Sequence, residues 1–156
     1  MIIIGSDHTG VSLKERIKEY LDENGIDYFD ATKNNDEQDD YPDMAYAISK
    51  KVLENDNNIG IAICGTGIGI SIACNKVKGV RAADCVDVQM AEYSKRHNNA
   101  NVLCLGANLE FAKDFEKVKE IISTFMNSKF EGGRHLRRVE KIAKIEQEGD
   151  MYVCGI

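Results

Sequence analysis

Apolar residues along this chain come in short β-branched runs that alternate with stretches spaced for amphipathic helices. Ile2 to Ser6 opens the series as a strand buried on both faces, and Leu13, Ile17, Tyr20 and Leu21 follow at helical spacing. Asn24-Gly25 ends that helix, and Ile26 to Ala31, with Tyr28 and Phe29, predicts a second strand. A polar, acidic loop runs from Thr32 to Asp40. Tyr41-Pro42-Asp43 starts the next helix, since proline suits a first turn and Ala45, Ile48, Val52 and Leu53 continue the apolar stripe. Beyond the Asn55-Asp56-Asn57-Asn58 turn come a strand from Ile59 to Ile63, a helix from Ile68 to Asn75, a strand over Gly79 to Asp84 and a helix over Asp87 to Arg96. His97-Asn98-Asn99-Ala100 reads as the loop into a fifth strand, Asn101 to Gly106. Phe111, Phe115, Val118, Ile121, Ile122 and Phe125 then mark one long amphipathic helix whose aromatic stripe is core. Gly132-Gly133 is a hinge into a last helix over 134–147, and the tail 148–156 carries no readable pattern. Strands alternating with helices predict a Rossmann-like, doubly wound five-stranded parallel sheet with helices on both faces. No repeat, low-complexity segment or composition shift divides the chain, so residues 1–156 read as one domain.

The pattern breaks most sharply after the third strand. Glycines at 65, 67 and 69 free the backbone for positive φ and close approach to a ligand, with Cys64 and Thr66 between strand and helix. In open α/β sheets, ligands bind beyond the carboxyl ends of the strands, and amides at a helix start favour an anion or a developing oxyanion. A nucleotide phosphate loop would need lysine after the last glycine, where this chain has Ile70 and Ser71. A dinucleotide fingerprint would need its third glycine one residue later. Cys64 taken alone fits a small buried hydrophobe; its place at a strand end against a glycine-rich turn argues for chemistry.

Other polar groups admit two readings each. Asp7 and His8 end the first strand, and by themselves they read as an N-cap and a solvated loop residue. His97 serves equally as a cation near a helix C-terminus or as a functional group. Arg134 and Arg138, four residues apart, share one helix face and can grip a phosphate together. A solvated cationic face balanced by Glu140 and Glu146 accounts for the arginines as well.

Composition narrows the classes. A hydrophobic content of 43% with 29% charged residues describes a globular chain able to bury a core. A net charge of −6 argues against a nucleic-acid or anionic-membrane partner but leaves room for a small anion at a local basic cluster. No apolar run has the length of a membrane span, and Met1 leads into Ile2-Ile3-Ile4 with no charged leader, so a cytoplasmic location is expected. The 5 cysteines, at 64, 74, 85, 104 and 154, form no Cys-x-x-Cys pair, and neither a disulfide framework nor a zinc site is indicated.

Taken together, Gly5-Ser6-Asp7-His8, Asp40-Tyr41-Pro42-Asp43, Cys64 to Ser71, Asn75-Lys76, Gly79-Val80-Arg81-Ala82, His97-Asn98 with Asn101-Val102-Leu103, and Glu131-Gly132-Gly133-Arg134-His135 resemble one family. It is the type B ribose-5-phosphate isomerases with their hexose-6-phosphate relatives. The resemblance implies aldose-ketose isomerisation through an enediolate, with no metal or organic cofactor. It implies that Cys64 is the base moving a proton between C2 and C1, and that Thr66 shuttles the hydroxyl proton. A thiol near a helix N-terminus can supply thiolate near neutrality, and the amides of Gly65, Thr66, Gly67, Ile68, Gly69 and Ile70 would meet the oxyanion. His97 with Asp7 would open the furanose ring, His8, Arg134 and Arg138 would hold the phosphate, and Tyr41 and Asn98 would line the sugar pocket. Asn108 stands where the family often has a phosphate-binding arginine, and Cys74 where alanine is frequent. The implied partner is a small phosphorylated sugar, and the implied assembly a homodimer or dimer of dimers with each site shared between chains. Ribose 5-phosphate is the first substrate expectation, and an allose or galactose 6-phosphate the alternative. A non-catalytic phosphometabolite-binding module would have no need of Cys64, Thr66 and His97 together.

Overall fold

The computed structural model describes residues 1–32 and 39–149. Five strands form one sheet: β1 (Ile2–Ser6), β2 (Tyr28–Asp30), β3 (Ile59–Cys64), β4 (Ala82–Asp84) and β5 (Val102–Gly106). All four pairings are parallel, in the order β2-β1-β3-β5-β4. The helices are α1 (Val11–Glu23), α2 (Tyr41–Val52), α3 (Ile68–Cys74), α4 (Val88–Asn98), α5 (Glu110–Lys113), α6 (Phe115–Asn127) and α7 (Gly133–Glu148).

Side chains alternate across a strand, so each central strand feeds two cores. Ile2 and Ile4, Ile61 and Ile63, Leu103 and Leu105 meet α1, α4 and α6 on one face. Ile3, Ala62 with Cys64, and Val102 with Cys104 meet α2 and α3 on the other. The second face is the tighter one. A β-carbon on Gly5 would come within 2.8 Å of Ile48, and one on Gly60 within 3.0 Å of Val52, so α2 lies almost on the backbone of the sheet. β1 is followed by β2 on one side while β3 lies on the other, which puts the reversal of strand order between β1 and β3. Their carboxyl ends, Ser6-Asp7 and Cys64-Gly65, therefore flank the crevice where such folds bind ligands.

Several element boundaries differ from the sequence pattern. α4 runs on through His97 and Asn98, which are its last turn and not a loop; Asn99 in the left-handed conformation, φ 48°, stops it. The aromatic stripe is carried by two helices, because Asp114 is extended and caps α6 through the Glu116 amide. β4 starts only at Ala82, since Gly79 (φ 91°) and the Val80 amide's bond to the Val77 carbonyl keep the preceding residues in a turn. β2 shrinks to three edge residues. Of the acidic loop, residues 33–38 lie outside the described residues, as do residues 150–156 of the tail, Cys154 included. No helix among the described residues is long and apolar enough to cross a membrane.

A buried ion pair ties β2 to α1. Lys14, 1% exposed, reaches Asp30 Oδ1 at 3.5 Å and donates to the Thr32 carbonyl at 2.8 Å. Burial opposes the Asp30 charge, but the Thr32 amide, Lys18 and Lys14 outweigh it and hold the carboxyl below its ordinary range.

Candidate active site

Asp7 follows β1 directly and caps the short turn His8–Gly10. Its Oδ1 accepts from Thr9 N (2.9 Å), Thr9 Oγ1 (2.5 Å) and Gly10 N (3.2 Å). The capping reading of Asp7 is therefore correct, and it does not use up the group. All three donors fall on Oδ1; among the described residues none reaches Oδ2. His8 is exposed beside it and donates from Nδ1 to the Asp39 carbonyl at 3.1 Å.

Across the crevice, the Cys64 Sγ at the end of β3 accepts the Gly67 amide at 3.2 Å. Gly67 sits at φ 80°, and a β-carbon there would fall 2.2 Å from Asp84 Oδ1 and 3.1 Å from the Gly106 amide nitrogen, so both conformation and space require glycine. The first helical bond of α3 is Ser71 N–H to the Gly67 carbonyl at 3.1 Å, which leaves the amides of Ile68, Gly69 and Ile70 open to a ligand. The Ile70 side chain is core, so only its backbone can serve. Tyr41, first residue of α2, lays its ring over Gly69, where a β-carbon would meet Cζ at 2.9 Å. The Asn108 amide donates to the Gly65 carbonyl at 2.9 Å, and its side-chain nitrogen faces the same glycine. Asp7, His8, Tyr41, Cys64 to Ile70 and Asn108 thus occupy one end of the sheet.

His97, Asn98, Arg134 and Arg138 do not join them within the chain. α4 leaves the carboxyl end of β4 and runs back along the sheet, so the nine helical steps from Val88 to His97 carry the imidazole about 14 Å toward the strands' amino ends. The end of α4 is pinned there. Arg81, just before β4, donates from Nε to the Asn99 carbonyl at 2.9 Å, and Lys95 donates to the Ala100 carbonyl at 2.9 Å. The His97 ring is stacked between Tyr93 (centroids 4.7 Å apart) and His135 of α7 (4.2 Å). Glu131 Oε2 lies 3.9 Å from His97 Nε2 and 3.6 Å from His135 Nε2, while Arg96 Nε donates to Glu131 Oε1 at 2.7 Å. Arg134 and Arg138 act electrostatically on His135 from the same helix. Two groups of candidate side chains therefore sit at opposite ends of one chain's sheet, and among the described residues no hydrogen bond, ion pair or ring contact links them.

The profile of the Ribose/Galactose Isomerase family matches residues 2–142. The chain belongs to that family. A probable ribose-5-phosphate isomerase B of Mycoplasma genitalium is 47% identical over 149 residues, covering 94% of this chain and 96% of the relative. The ribose-5-phosphate isomerase B of Escherichia coli is 40% identical over 146 residues, again covering 94% and 96%. The crystal structure of the Mycoplasma genitalium enzyme with bound ribulose 5-phosphate superposes with a TM-score of 0.86 at 43% identity, over 94% of this chain and 96% of that one. The five-stranded all-parallel α/β fold is the one these isomerase structures share.

Three residues of the isomerase's two polar groups had been given no role from the sequence. Asp84 ends β4 with its Oδ1 buried against Gly67 and, among the described residues, without a hydrogen-bond donor; burial pushes its carboxyl above the usual range. A charge ending an apolar strand was the available signal. Glu131 and His135 stood within a recognised motif, but only packing shows that they meet His97. Donor atoms of His97, Glu131 and His135 lie within 4.8 Å of one another. They do not converge on a metal position: the two imidazoles are parallel to within 2°, so their in-plane lone pairs run side by side, and Arg96 already holds the carboxylate. Of the described cysteines, all free, Cys85 is pushed by burial to about 11 and is inert, and Cys104 is raised by its hydrogen bond with Cys74 and by burial.

Proposed function

We propose that the chain interconverts ribose 5-phosphate and ribulose 5-phosphate, with Cys64 as the base. The observation that carries this is the Cys64 sulfur at the strand-order reversal, bonded by the Gly67 amide just ahead of the open amides of α3. Ring opening comes first. O1 loses its proton toward Asp7 Oδ2 as the C1–O4 bond breaks and O4 takes a proton from His97. The Cys64 thiolate then removes the proton from C2 and returns it to C1, while Thr66 moves the hydroxyl proton between O2 and O1. The open amides of Ile68, Gly69 and Ile70 stabilise the enediolate oxygen, the type of interaction that commonly contributes most to such catalysis. His8, Arg134 and Arg138 hold the phosphate, Tyr41 and Asn98 flank the sugar, and the chemistry calls for no metal or organic cofactor.

Because Asp7 and Cys64 lie at one end of the sheet and His97 and Arg134 at the other, the reading requires a second copy to complete each site. Exposed apolar residues support a homodimer: Ile68 and Ile72 on α3 are 56% and 57% exposed, and Val88, Met90 and Tyr93 on α4 and Leu136, Ile142 and Ile145 on α7 are also exposed. A thiolate base and free thiols suit the reducing cytoplasm.

The test is formation of ribulose 5-phosphate from ribose 5-phosphate in the presence of a chelator, with allose 6-phosphate alongside. Cys64→Ser should lower turnover by about 10² to 10⁴, the contribution of a positioned base. Turnover within a few-fold of the parent would remove Cys64 from this role. Mixing Cys64→Ala and His97→Ala chains, each nearly inactive alone, should restore activity, since half of the mixed dimers' sites then carry neither lesion. No recovery, with subunit exchange confirmed by tagged chains, would refute the shared site.

A further inference from the structure

The group around His97 is more elaborate than a proton donor needs. Both faces of the ring are covered, by Tyr93 and by His135, with interplanar angles of 9° and 2°. A ring held in this way has no freedom to tumble about χ2 without breaking two stacks. On its Nε2 side stands one carboxylate, Glu131, whose other oxygen is engaged by Arg96, and whose backbone amide donates to the Arg96 carbonyl at 3.0 Å. Glu131 is thereby fixed at both main chain and side chain. Its separations from the two imidazole nitrogens, 3.9 and 3.6 Å, exceed hydrogen-bond range, so it acts on the rings as a charge.

We propose that Glu131 and His135 are positioning residues for furanose opening: the carboxylate and the stack hold the His97 imidazole in one orientation toward the sugar's ring oxygen. This rests on His97 being the ring-opening acid. The charged and titratable groups facing the ring are Tyr93 and Arg96 of α4, with Glu92 paired to Arg96; Glu131 from the α6–α7 connection; and His135, Arg134 and Arg138 of α7. From α6, also packed on α4, no hydrogen bond or ion pair reaches the ring among the described residues. Within this set the two imidazoles are not equivalent. Burial first, then His97, Arg134 and Arg138, lower the His135 pKa, so His135 offers a neutral flat face. The Arg96 hydrogen bond holds the Glu131 carboxyl below its ordinary range, so a negative charge faces the rings. The arrangement has two stacking partners, one counter-charge and one donor.

The consequence is a selective one. Ring opening depends on the Glu131 group, and proton transfer at C2 and C1 does not. An aldose phosphate that cannot close a ring separates the two steps: 4-deoxyribose 5-phosphate lacks the hydroxyl that forms the furanose, and its C5 oxygen is esterified. The experiment measures kcat/KM for ribose 5-phosphate and for 4-deoxyribose 5-phosphate with the parent, His97→Asn, Glu131→Gln, Glu131→Asp and His135→Gln. His97→Asn should lose about 100-fold on ribose 5-phosphate, the scale of a positioned general acid, and little on the analogue. Glu131→Gln and His135→Gln should each lose about ten-fold on ribose 5-phosphate and less than two-fold on the analogue, and Glu131→Asp should recover most of the loss. If His97→Asn is selective but Glu131→Gln and His135→Gln leave both substrates unchanged, or lower both equally, the positioning role is overturned and His97 keeps its own. If His97→Asn itself shows no selectivity, the ring-opening assignment fails and this inference with it.

Discussion

Replacing Gly67 by alanine tests the geometry of the loop between β3 and α3 more directly than removing a reactive group. Two separate costs arise. At φ 80° any β-carbon strains the backbone, which costs about 1–2 kcal/mol. The new methyl would also fall 2.2 Å from Asp84 Oδ1 and 2.9 Å from its Cγ. Asp84 cannot retreat with its backbone, because β4 is paired to β5 at Asp84 and Cys104. The carboxylate must rotate out of a buried position, and overpacking of this kind costs about 1–3 kcal/mol. Gly67→Ala should therefore lower stability by about 2–5 kcal/mol from the two terms together. In an Asp84→Ala background the contact with the carboxylate vanishes, and the backbone strain and the 3.1 Å approach to the Gly106 amide nitrogen are left. Urea unfolding of the four proteins at one fixed protein concentration gives the cycle, with an expected coupling of about 1–3 kcal/mol. A coupling below about 0.5 kcal/mol, the ordinary scatter of additivity, would mean that Asp84 does not lie against Gly67. Turnover should follow, since the Gly67 amide is the donor to Cys64 Sγ; Gly67→Ala at full activity would argue that this hydrogen bond does not matter.

Three further outcomes follow from the same geometry. Asp30→Ala removes the buried carboxylate that Lys14 and Lys18 share and should cost about 1.5–3 kcal/mol at neutral pH, the range of a hydrogen bond to a charged group. Because the folded-state pKa of Asp30 is depressed, this contribution is present above the unfolded value near 3.9 and is lost as pH falls through the folded one, so the difference from the parent should shrink in acid denaturation. Asp84 has the opposite sign: its raised pKa means the folded state binds the proton more tightly, so Asp84→Asn should stabilise the protein at neutral pH, and the gain should vanish below the ordinary carboxylate value of about 3.9. A pH-independent difference would contradict both assignments. Asn108→Arg should lower KM for ribose 5-phosphate with a smaller effect on kcat, because a guanidinium beside Gly65 adds uniform phosphate binding; a raised KM would place residue 108 away from the phosphate.

Much of this architecture is legible in the order of residues alone. Period-2 alternation through Ile2–Ile4, Ile61–Cys64 and Val102–Leu105 is a local property, and it determines that each strand is buried twice and that helices must cover both faces. The break from Ile63 into three alternate glycines likewise announces a strand-to-helix turn, and with it the place of Cys64. Pro42 and Asp7 announce their own helix starts. What the sequence could not determine is which surfaces meet. The end of α4 depends on Asn99 adopting a left-handed turn clamped by Arg81 and Lys95, contacts across 18 residues in one case, so His97 was read into a loop when it closes a helix. Asp84 meets Gly67 only because β4 joins the sheet on the far side of β5. Glu131 and His135 meet His97 only because α7 folds back on α4. Local periodicity reports which face of an element is apolar, since that follows from backbone geometry; it carries no information on which neighbour covers that face. The separation of Cys64 from His97 by the length of a helix, on which the proposal of a shared site rests, is therefore a property of the tertiary structure alone.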